Sequence, residues 1–413
     1  MVDLYSELRR TQSLTKAWRV VRASAMRSSS AETRNEASEF DADSHSRLRS
    51  IQDKLRRKTF KFKPQYGIAK QRDGKKARPL VISPIENRIV QRAILDVLQG
   101  HVEPIQDILN TPTSFGGIRR RRVSMAISAL KERFVAGDKY HIRSDIPSFF
   151  TRVSKPAVMK YMGTIISDVD FLRVFEMGIT TTLENLTDLQ RAKVADLFPL
   201  GAEGVAQGSP LSPLIANIYL REFDREMNSG DVACIRYIDD FVITAKTERH
   251  AKKAFKLALL LLKRIGLDAY SPSLNKGKAS SGLVVHGFDF LGCHITPGLV
   301  QPGVSARRKL IDKVDAEVRR AIAAADTIIS IPEFIKAGCY TQALTNTNNI
   351  VWGWGKAFSF CNGNQVLVSL DKIISKRLDF LGQALHKRMA RTDYRRQRMM
   401  LGVRLLEDSN KIK

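Results

Sequence analysis

Two adjacent carboxylates, Asp239 and Asp240, interrupt an apolar, strand-like run that extends from Cys234 to Thr244. Strands disfavour aspartate, and two neighbouring negative charges repel each other. A divalent cation would offset that repulsion, and Mg²⁺ prefers hard oxygen ligands of this kind. Taken alone, an Asp-Asp pair is more often a turn or a helix cap. Whether this pair binds a metal ion is therefore judged from residues elsewhere in the chain.

A third carboxylate, Asp145, ends another strand-like run, and the aromatic residues Phe149 and Phe150 follow it closely. Together with Asp239 and Asp240, it would complete a three-carboxylate site for two metal ions. Such a site activates a 3′-hydroxyl and stabilises the leaving pyrophosphate of an in-line phosphoryl transfer.

A glycine-containing segment, Gln207-Gly208-Ser209-Pro210, opens into an apolar, helix-like run shortly before the aspartate pair. A loop of this type brings the backbone close to a nucleotide, while a polar side chain contacts the sugar. The segment is therefore a candidate nucleotide-binding loop.

These residues need a scaffold, and the sequence patterns predict one. Residues 60–83 form a basic hairpin around Asp73-Gly74, and Ile85–Leu98 has the spacing of an amphipathic helix. Residues 140–150 and 232–245 are predicted strands, with helices between and after them. Alternating elements of this kind indicate an α+β body.

The chain divides into three predicted parts. Residues 1–59 form a basic N-terminal extension, with a helix from Leu14 to Met26 and a loop from Ser28 to Ser46. Residues 60–300 contain the sheet and the candidate site. Beyond a boundary near 300, residues 301–413 show helical periodicity and a strongly basic end.

The composition indicates a polyanionic partner. In 413 residues there are 68 Lys and Arg against 42 Asp and Glu, a formal charge of +26. Such a surface attracts nucleic acid or an anionic membrane.

The longest aliphatic stretch, Leu257–Leu262, is far too short to span a bilayer. The N-terminus lacks an apolar signal region, and the four cysteines form no C-x-x-C pair, so we expect a cytoplasmic protein with reduced thiols and neither disulfides nor a zinc site.

In this order and spacing, the motifs resemble those of the reverse transcriptase superfamily, in particular the group II intron-like and bacterial defence-associated enzymes. The resemblance covers roughly residues 60–400. It implies a right-hand polymerase with fingers (including the basic hairpin), a palm built from an antiparallel sheet with helices, and a helical thumb.

The resemblance also implies metal ligands. Asp145 and Asp239 would hold two Mg²⁺ ions, Asp240 would assist, and the backbone carbonyl of Ile146 would be a further ligand.

The resemblance also implies which residues bind and select the incoming nucleotide. Phe150 would be the aromatic steric gate that rejects a ribose 2′-hydroxyl and so selects dNTPs. Gln207 and Gly208 would line the sugar pocket. Lys70 and Arg78 would hold the triphosphate.

Two of the cations have alternatives. The register of the basic hairpin leaves Lys75 or Lys76 in place of Lys70, and each could simply be a solvated surface charge. Lys278, favoured over Lys276, would protonate the departing pyrophosphate, as the equivalent lysine of the family is thought to do.

Three further segments match the family. Ser114–Arg119, followed by three more arginines, resembles the fingers of group II intron-like enzymes and would suit a template backbone, or would be a solvated loop. Phe288–Gly292 resembles the primer-grip hairpin, and Trp352-Gly353-Trp354 resembles the thumb. Both aromatic segments would look the same if they were simply core.

The resemblance implies an RNA-directed DNA polymerase that copies an RNA template into cDNA, in bacterial antiviral defence, with a structured non-coding RNA as template and partner. The alternative is a maturase-like RNA-binding protein that stabilises a folded RNA. Ribonucleotide polymerisation is disfavoured by Phe150. The number of subunits stays open, with a homo-oligomer as one option.

Overall fold

A computed structural model describes residues 2–72, 75–228, 232–275, 277–327, 340–403 and 405–406. The chain forms two compact units, Met1–Gly282 and Leu283–Lys413. This division places the segment from Phe288 with the helical second unit, whereas the sequence analysis drew its boundary near 300. The assignment of fingers, palm and thumb to residue ranges stays a prediction.

Four helices precede the first strand: α1 (Leu4–Leu8), α2 (Thr11–Ala25), α3 (Ala31–Ala42) and α4 (Ser44–Arg56).

The loop predicted over Ser28–Ser46 is wrong, because α3 and the start of α4 occupy it. Ser30 caps α3 by accepting a hydrogen bond from the Thr33 amide at 3.1 Å. Phe40 then packs on Trp18 of α2, with ring centroids 4.5 Å apart. The polar composition concealed a helix whose few apolar residues are buried by tertiary packing.

The basic hairpin predicted from Asp73-Gly74 is present as β1 (Tyr66–Arg72) and β2 (Lys75–Ile82). The strands pair antiparallel, from Tyr66 opposite Ile82 to Lys70 opposite Arg78. Asp73 and Gly74 lie outside the described residues.

The rest of the first unit builds a mixed helical and sheet core. Its helices are α5 (Ile85–His101), α6 (Glu103–Asn110), α7 (Val123–Val135), α8 (Phe149–Arg152), α9 (Lys155–Ile165), α10 (Val169–Ile179), α11 (Leu186–Arg191), α12 (Ser212–Tyr219), α13 (Arg221–Met227) and α14 (Glu248–Arg264). Its strands are β3 (Tyr140–Asp145), β4 (Ala233–Tyr237), β5 (Asp240–Ala245) and β6 (Ser280–Leu283). α5 extends the helix predicted over Ile85–Leu98.

These strands form a sheet in the order β4-β5-β3-β6. Ile142 of β3, together with Phe241 and Ile243 of β5, joins the core that also contains the buried face of α14. Because side chains alternate along a strand, Asp145 and Asp240 lie on the opposite face. The sheet therefore separates the candidate catalytic carboxylates from the helix layer.

In the second unit, β7 (Phe288–Phe290), β8 (Cys293–Thr296) and β9 (Leu299–Pro302) form an antiparallel sheet. The helices α15 (Val304–Thr327), α16 (Tyr340–Ala357), α17 (Asn364–Met389) and α18 (Tyr394–Leu401) follow. A separate apolar core made of residues from α15 to α18 holds these helices together.

Three cysteines lie in the described ranges, Cys234, Cys293 and Cys361, and all three are buried free thiols. Cys339 lies outside those ranges. Of the helices described, none is sufficiently long and apolar to cross a membrane.

Candidate active site

Strand register brings the three predicted carboxylates to one end of the sheet. Asp145, the last residue of β3, pairs with Asp240, the first residue of β5. Asp239 lies in the tight turn between β4 and β5, and its carbonyl accepts a hydrogen bond from the Ile146 amide at 3.1 Å. Ile238 adopts a left-handed φ of 60°, which a β-branched residue rarely does. The turn is therefore held by its surroundings rather than by local preference.

Burial and charge repulsion raise the pKa of Asp239 and Asp240. Burial, with the Asp145 carboxylate second, raises the pKa of Asp239 to about 6. The same two causes raise the pKa of Asp240, while the nearby Arg143 guanidinium opposes them. Arg143 Nη2 lies 3.5 Å from Asp240 Oδ1. The site concentrates negative charge that one arginine only partly offsets.

Lys278 supplies the second cation. Its Nζ donates to Asp145 Oδ2 at 3.1 Å and lies 5.5 Å from the centre of the Tyr270 ring. The Tyr270 amide in turn donates to the Asp145 carbonyl at 3.2 Å. The structure thus brings the predicted lysine to the predicted carboxylate. Lys276, the alternative, lies outside the described residues.

The residues present suit a hard divalent cation. Their donors are carboxylate oxygens, and Asp240 Oδ1 is buried, with the Arg143 guanidinium 3.5 Å away as its ion-pair partner. Within the described ranges, no group of three or more His, Cys, Asp or Glu side chains is arranged to hold a metal ion. The residues that would hold the metal are the three acids at the end of the sheet, Asp145, Asp239 and Asp240.

The hairpin and the Gln-Gly-Ser-Pro loop form a second cluster. Arg78 Nε donates to Gln207 Oε1 at 2.6 Å, and the Val81 amide donates to the Gln207 carbonyl at 3.0 Å. Lys70 lies directly across the hairpin from Arg78, so two cations are neighbours on one strand pair. In water such a pair repels, and an anion between the side chains would relieve the repulsion.

Gly208 makes the close approach of loop and hairpin possible. Its φ is 124°, and a Cβ there would lie 2.7 Å from the Val81 carbonyl oxygen. Only glycine meets both conditions without strain.

Phe150 belongs to the short helix α8, directly after the Asp145 strand. Its ring is half-buried and lies 5.5 Å from that of Phe149. Its carbonyl accepts a hydrogen bond from the Val205 amide at 2.7 Å, two residues before Gln207. The backbone thereby connects the predicted gate with the nucleotide-binding loop.

A buried arginine lies behind the carboxylate turn, and no sequence pattern predicted it. Arg236 is fully buried and pairs with Asp224, with Nε 2.6 Å from Oδ1. Its guanidinium also donates to Ser114 Oγ at 2.8 Å and to Asn217 Oδ1 at 2.9 Å. A charged residue in the middle of an apolar strand was the signal that could have revealed it.

The comparison with protein families agrees with this geometry. The family described as "Reverse transcriptase (RNA-dependent DNA polymerase)" matches residues 68–295, more than half of the chain. This chain belongs to the reverse transcriptase family.

Individual relatives of this chain are distant. Protein YkfC of Escherichia coli K12 is 28% identical over 254 residues, covering 52% of this chain and 62% of that protein. Group II intron-encoded protein LtrA of Lactococcus lactis is 26% identical over 189 residues, covering 45% of this chain and 29% of that protein. The chain thus spans less than two thirds of the length of these curated relatives.

Solved structures with a similar fold include a partial Cas6-RT-Cas1–Cas2 complex. Its matching chain is 20% identical with a TM-score of 0.36, covering 67% of this chain and 44% of that one. Telomerase from Candida albicans is 10% identical with a TM-score of 0.43, covering 84% of this chain and 66% of that one.

The segment that begins at Ser114, predicted to belong to the fingers, packs against the turn between β4 and β5. Gly116 packs so closely on the backbone of Tyr237 and Ile238 that a Cβ would clash. Arg121 turns inward and donates to the carbonyls of Thr111 and Ser114. The prediction of four arginines along a template backbone is therefore wrong for Arg121. The other three, Arg119, Arg120 and Arg122, are exposed.

The two aromatic segments, Phe288–Gly292 and Trp352-Gly353-Trp354, differ in how far their rings are buried. Phe288 and Phe290 are buried in the β7-β8 hairpin, whose two turn residues Leu291 and Gly292 have φ of 49° and 80°. The hairpin is present, and its primer-grip role stays a prediction. Trp354 packs against Phe358, whereas Trp352 is 64% exposed.

The recognition of the family and the α+β fold class are confirmed. The individual roles of the metal ligands, gate, nucleotide cations and lysine stay predictions.

Proposed function

We propose that this chain is an RNA-directed DNA polymerase that uses dNTPs and two Mg²⁺ ions. The observation that supports it most is the pairing of Asp145 with Asp240, with Asp239 in the adjoining turn. Bound Mg²⁺ would activate the primer 3′-hydroxyl and stabilise charge on the leaving pyrophosphate. Asp145, Asp239 and the Ile146 carbonyl would hold the ions, with Asp240 assisting.

The other residues would bind, select and transfer a proton. Lys70 and Arg78 would hold the triphosphate, and Gln207 and Gly208 would form the wall beside the sugar. Phe150 would exclude a 2′-hydroxyl. Lys278 Nζ, now at Asp145, would donate its proton to the departing pyrophosphate.

The proposed substrate is an RNA template paired with a growing cDNA, and the proposed partner is a structured non-coding RNA. The formal charge of +26 supports binding to long polyanions. A place in bacterial antiviral defence is the biological setting that the resemblance favours. It follows from family likeness rather than from the site.

A primer-extension assay tests the proposed activity. The purified chain, an RNA template, a DNA primer, dNTPs and Mg²⁺ should yield extended DNA. The D239N/D240N variant should lose at least about a thousandfold of that rate, because it removes charges that no other residue replaces. D312N, at an exposed position on α15, is the control and should keep full activity. Equal extension by D239N/D240N would refute the proposal.

The alternative, a maturase-like RNA-binding protein, is favoured by the exposed cations on α17. Lys372, Lys376 and Lys387 all face solvent. In that case D239N/D240N would keep the RNA-stabilising effect, and K372E/K376E would abolish it. A chemical-probing assay of the bound RNA distinguishes the two functions.

A further inference from the structure

The outward face of α14 carries a stripe of exposed cations. Arg249, Lys253 and Lys256 recur every three or four residues, Leu260 takes the next position on that face, and Lys263 and Arg264 follow it. This spacing places them on one side of the helix. At 1.5 Å per residue, the stripe is about 22 Å long.

Acidic groups hardly offset this charge. Glu248 is the only acidic residue in the segment 246–264, and its carboxylate is 2.7 Å from Lys252 Nζ. In the part of the chain that is described, Arg249, Lys253 and Lys256 make no ion pair. Lys139 and Lys246, both exposed, extend the positive surface at the N-terminal end of the helix.

This surface also has a shape. An open concavity of about 710 Å³ runs along the first turns of α14 and is lined by residues 248–250, 252, 253 and 256. The long side chains of Arg249, Lys252, Lys253 and Lys256 border this open space.

The stripe is separate from the candidate active site. The inner face of α14, which includes Ala251, Phe255 and Ala258, is buried in the core under the sheet. Asp145 and Asp240 lie on the other face of that sheet, as the strand alternation requires. A template held at the carboxylates would leave the stripe free.

The spacing suits phosphates better than a membrane. About 22 Å is long enough to follow several successive phosphates of a nucleic-acid backbone, which in a DNA duplex lie about 3.4 Å apart along the axis on each strand. A membrane-binding helix needs a broad apolar face towards the lipid. The apolar face of α14 is already buried, and only Leu257 and Leu260 are exposed among the cations.

We propose that the outward face of α14 binds the phosphate backbone of a folded RNA outside the active site. The choice of RNA over DNA rests on the proposed function, whereas the charge and exposure of the stripe do not. Such a surface would hold a structured RNA while a separate segment is copied.

Binding of a labelled RNA hairpin with a stem of about 16 base pairs tests this proposal. Saturating unlabelled RNA-DNA template-primer is present throughout, so that the active site is occupied. The test variant is K253Q/K256Q. The control is K16Q/R19Q, which removes two exposed cations at the same spacing on α2.

The wild-type chain should bind the hairpin despite the template-primer, and K253Q/K256Q should bind it more weakly. The slope of log affinity against log salt should become shallower by about 1.4–1.8, since each lost phosphate contact removes 0.7–0.9. K16Q/R19Q should keep the wild-type slope. Equal changes in both variants, or complete displacement of the hairpin by template-primer, would overturn the proposal.

Two further binding measurements, with a DNA hairpin and with anionic vesicles, distinguish RNA from the other possible ligands. A DNA hairpin of the same stem should bind more weakly, and tighter DNA binding would overturn the choice of RNA. Vesicles with anionic lipid should not bind through these lysines. Vesicle binding that depends on them, with hairpin binding that does not, would overturn the proposal too.

Primer extension on a short template should be unchanged in K253Q/K256Q. This readout distinguishes a failure of the surface from a failure of the polymerase function.

Discussion

Arg236 donates a hydrogen bond from Nη1 to the backbone carbonyl of Ile238, 2.9 Å away. That carbonyl belongs to the residue with a left-handed φ just before Asp239. A left-handed conformation costs about 1–3 kcal/mol and persists only where the surroundings enforce it. Arg236 therefore positions the turn, although it contacts none of the carboxylates thought to hold metal.

Removing Arg236 should harm both stability and activity. R236M leaves the Asp224 carboxylate buried and unpaired, which costs about 3–5 kcal/mol. The double variant R236M/D224L removes both charges and should recover much of that stability. It should not recover primer extension, because the Ile238 carbonyl still lacks the hydrogen bond from Arg236 that positions the turn.

Urea denaturation and primer extension on the same preparations separate these effects. Full activity in the refolded double variant would show that Arg236 is needed for folding alone.

Gly208 should tolerate no side chain. G208A combines a φ of 124° with a Cβ 2.7 Å from the Val81 carbonyl oxygen, so the loop must move away from the hairpin. We expect a rise of about tenfold or more in KM for dNTP, equivalent to at least about 1.4 kcal/mol. G201A, which meets no atom within 4 Å, is the control and should match the wild-type chain.

Phe150 should control sugar selection. F150A opens the space that the aromatic ring occupies, so incorporation of rNTPs should rise by about one to two orders of magnitude relative to dNTPs, a change of about 1–3 kcal/mol. F150Y keeps a ring and should keep the selectivity. Single-nucleotide incorporation with matched dNTP and rNTP measures the ratio. Unchanged selectivity in F150A would assign the gate to another residue.

Mg²⁺ should stabilise the folded chain through the carboxylates. Binding to the folded state alone raises the free energy of unfolding by mass action. The melting temperature of the wild-type chain should therefore rise with Mg²⁺ at constant ionic strength, and that of D239N/D240N should not. In the absence of Mg²⁺, the variant should melt at a higher temperature than wild type, since it removes the charge repulsion. Identical Mg²⁺ responses would exclude these aspartates as ligands.

His141 should make stability depend on mildly acidic pH. Burial lowers the pKa of its imidazole to about 4, from 6.5 in the unfolded chain. Between those values the unfolded state binds more protons, so stability rises with pH across this range. The contribution is fully present above pH 6.5 and is lost as pH falls towards 4, by up to about 3 kcal/mol.

H141F should flatten this part of the stability curve. Urea denaturation at pH 4.5 and 7 compares the two chains. A wild-type pH dependence that persists in H141F would assign the effect to another group.

The motif residues could be predicted because their chemistry is local in sequence. Asp145, Asp239 and Asp240 were candidates because charge in a strand-like run is unusual, and the structure brings them together at one end of the sheet. The hairpin was predictable from the Asp73-Gly74 dipeptide, and its register places Lys70 opposite Arg78.

Other features depend on tertiary structure. The partners of Arg236 come from four separate elements or loops, so no local pattern connects them. Arg121 was predicted to face the template, but nearby carbonyl groups draw it inward. Helix α3 has few apolar residues, and its stability comes from packing on α2 rather than from its own periodicity.

The pairing of Asp145 with Asp240 also helps to specify the register of the sheet. Strand side chains alternate with a period of two, so a slip of one residue would send a carboxylate into the apolar layer beside Ile142 and Phe241. Burying such a charge costs far more than the slipped pairing could return. Only the correct register keeps these acids together on the face of the sheet away from the apolar layer, so the candidate catalytic charges also help to specify how the strands align.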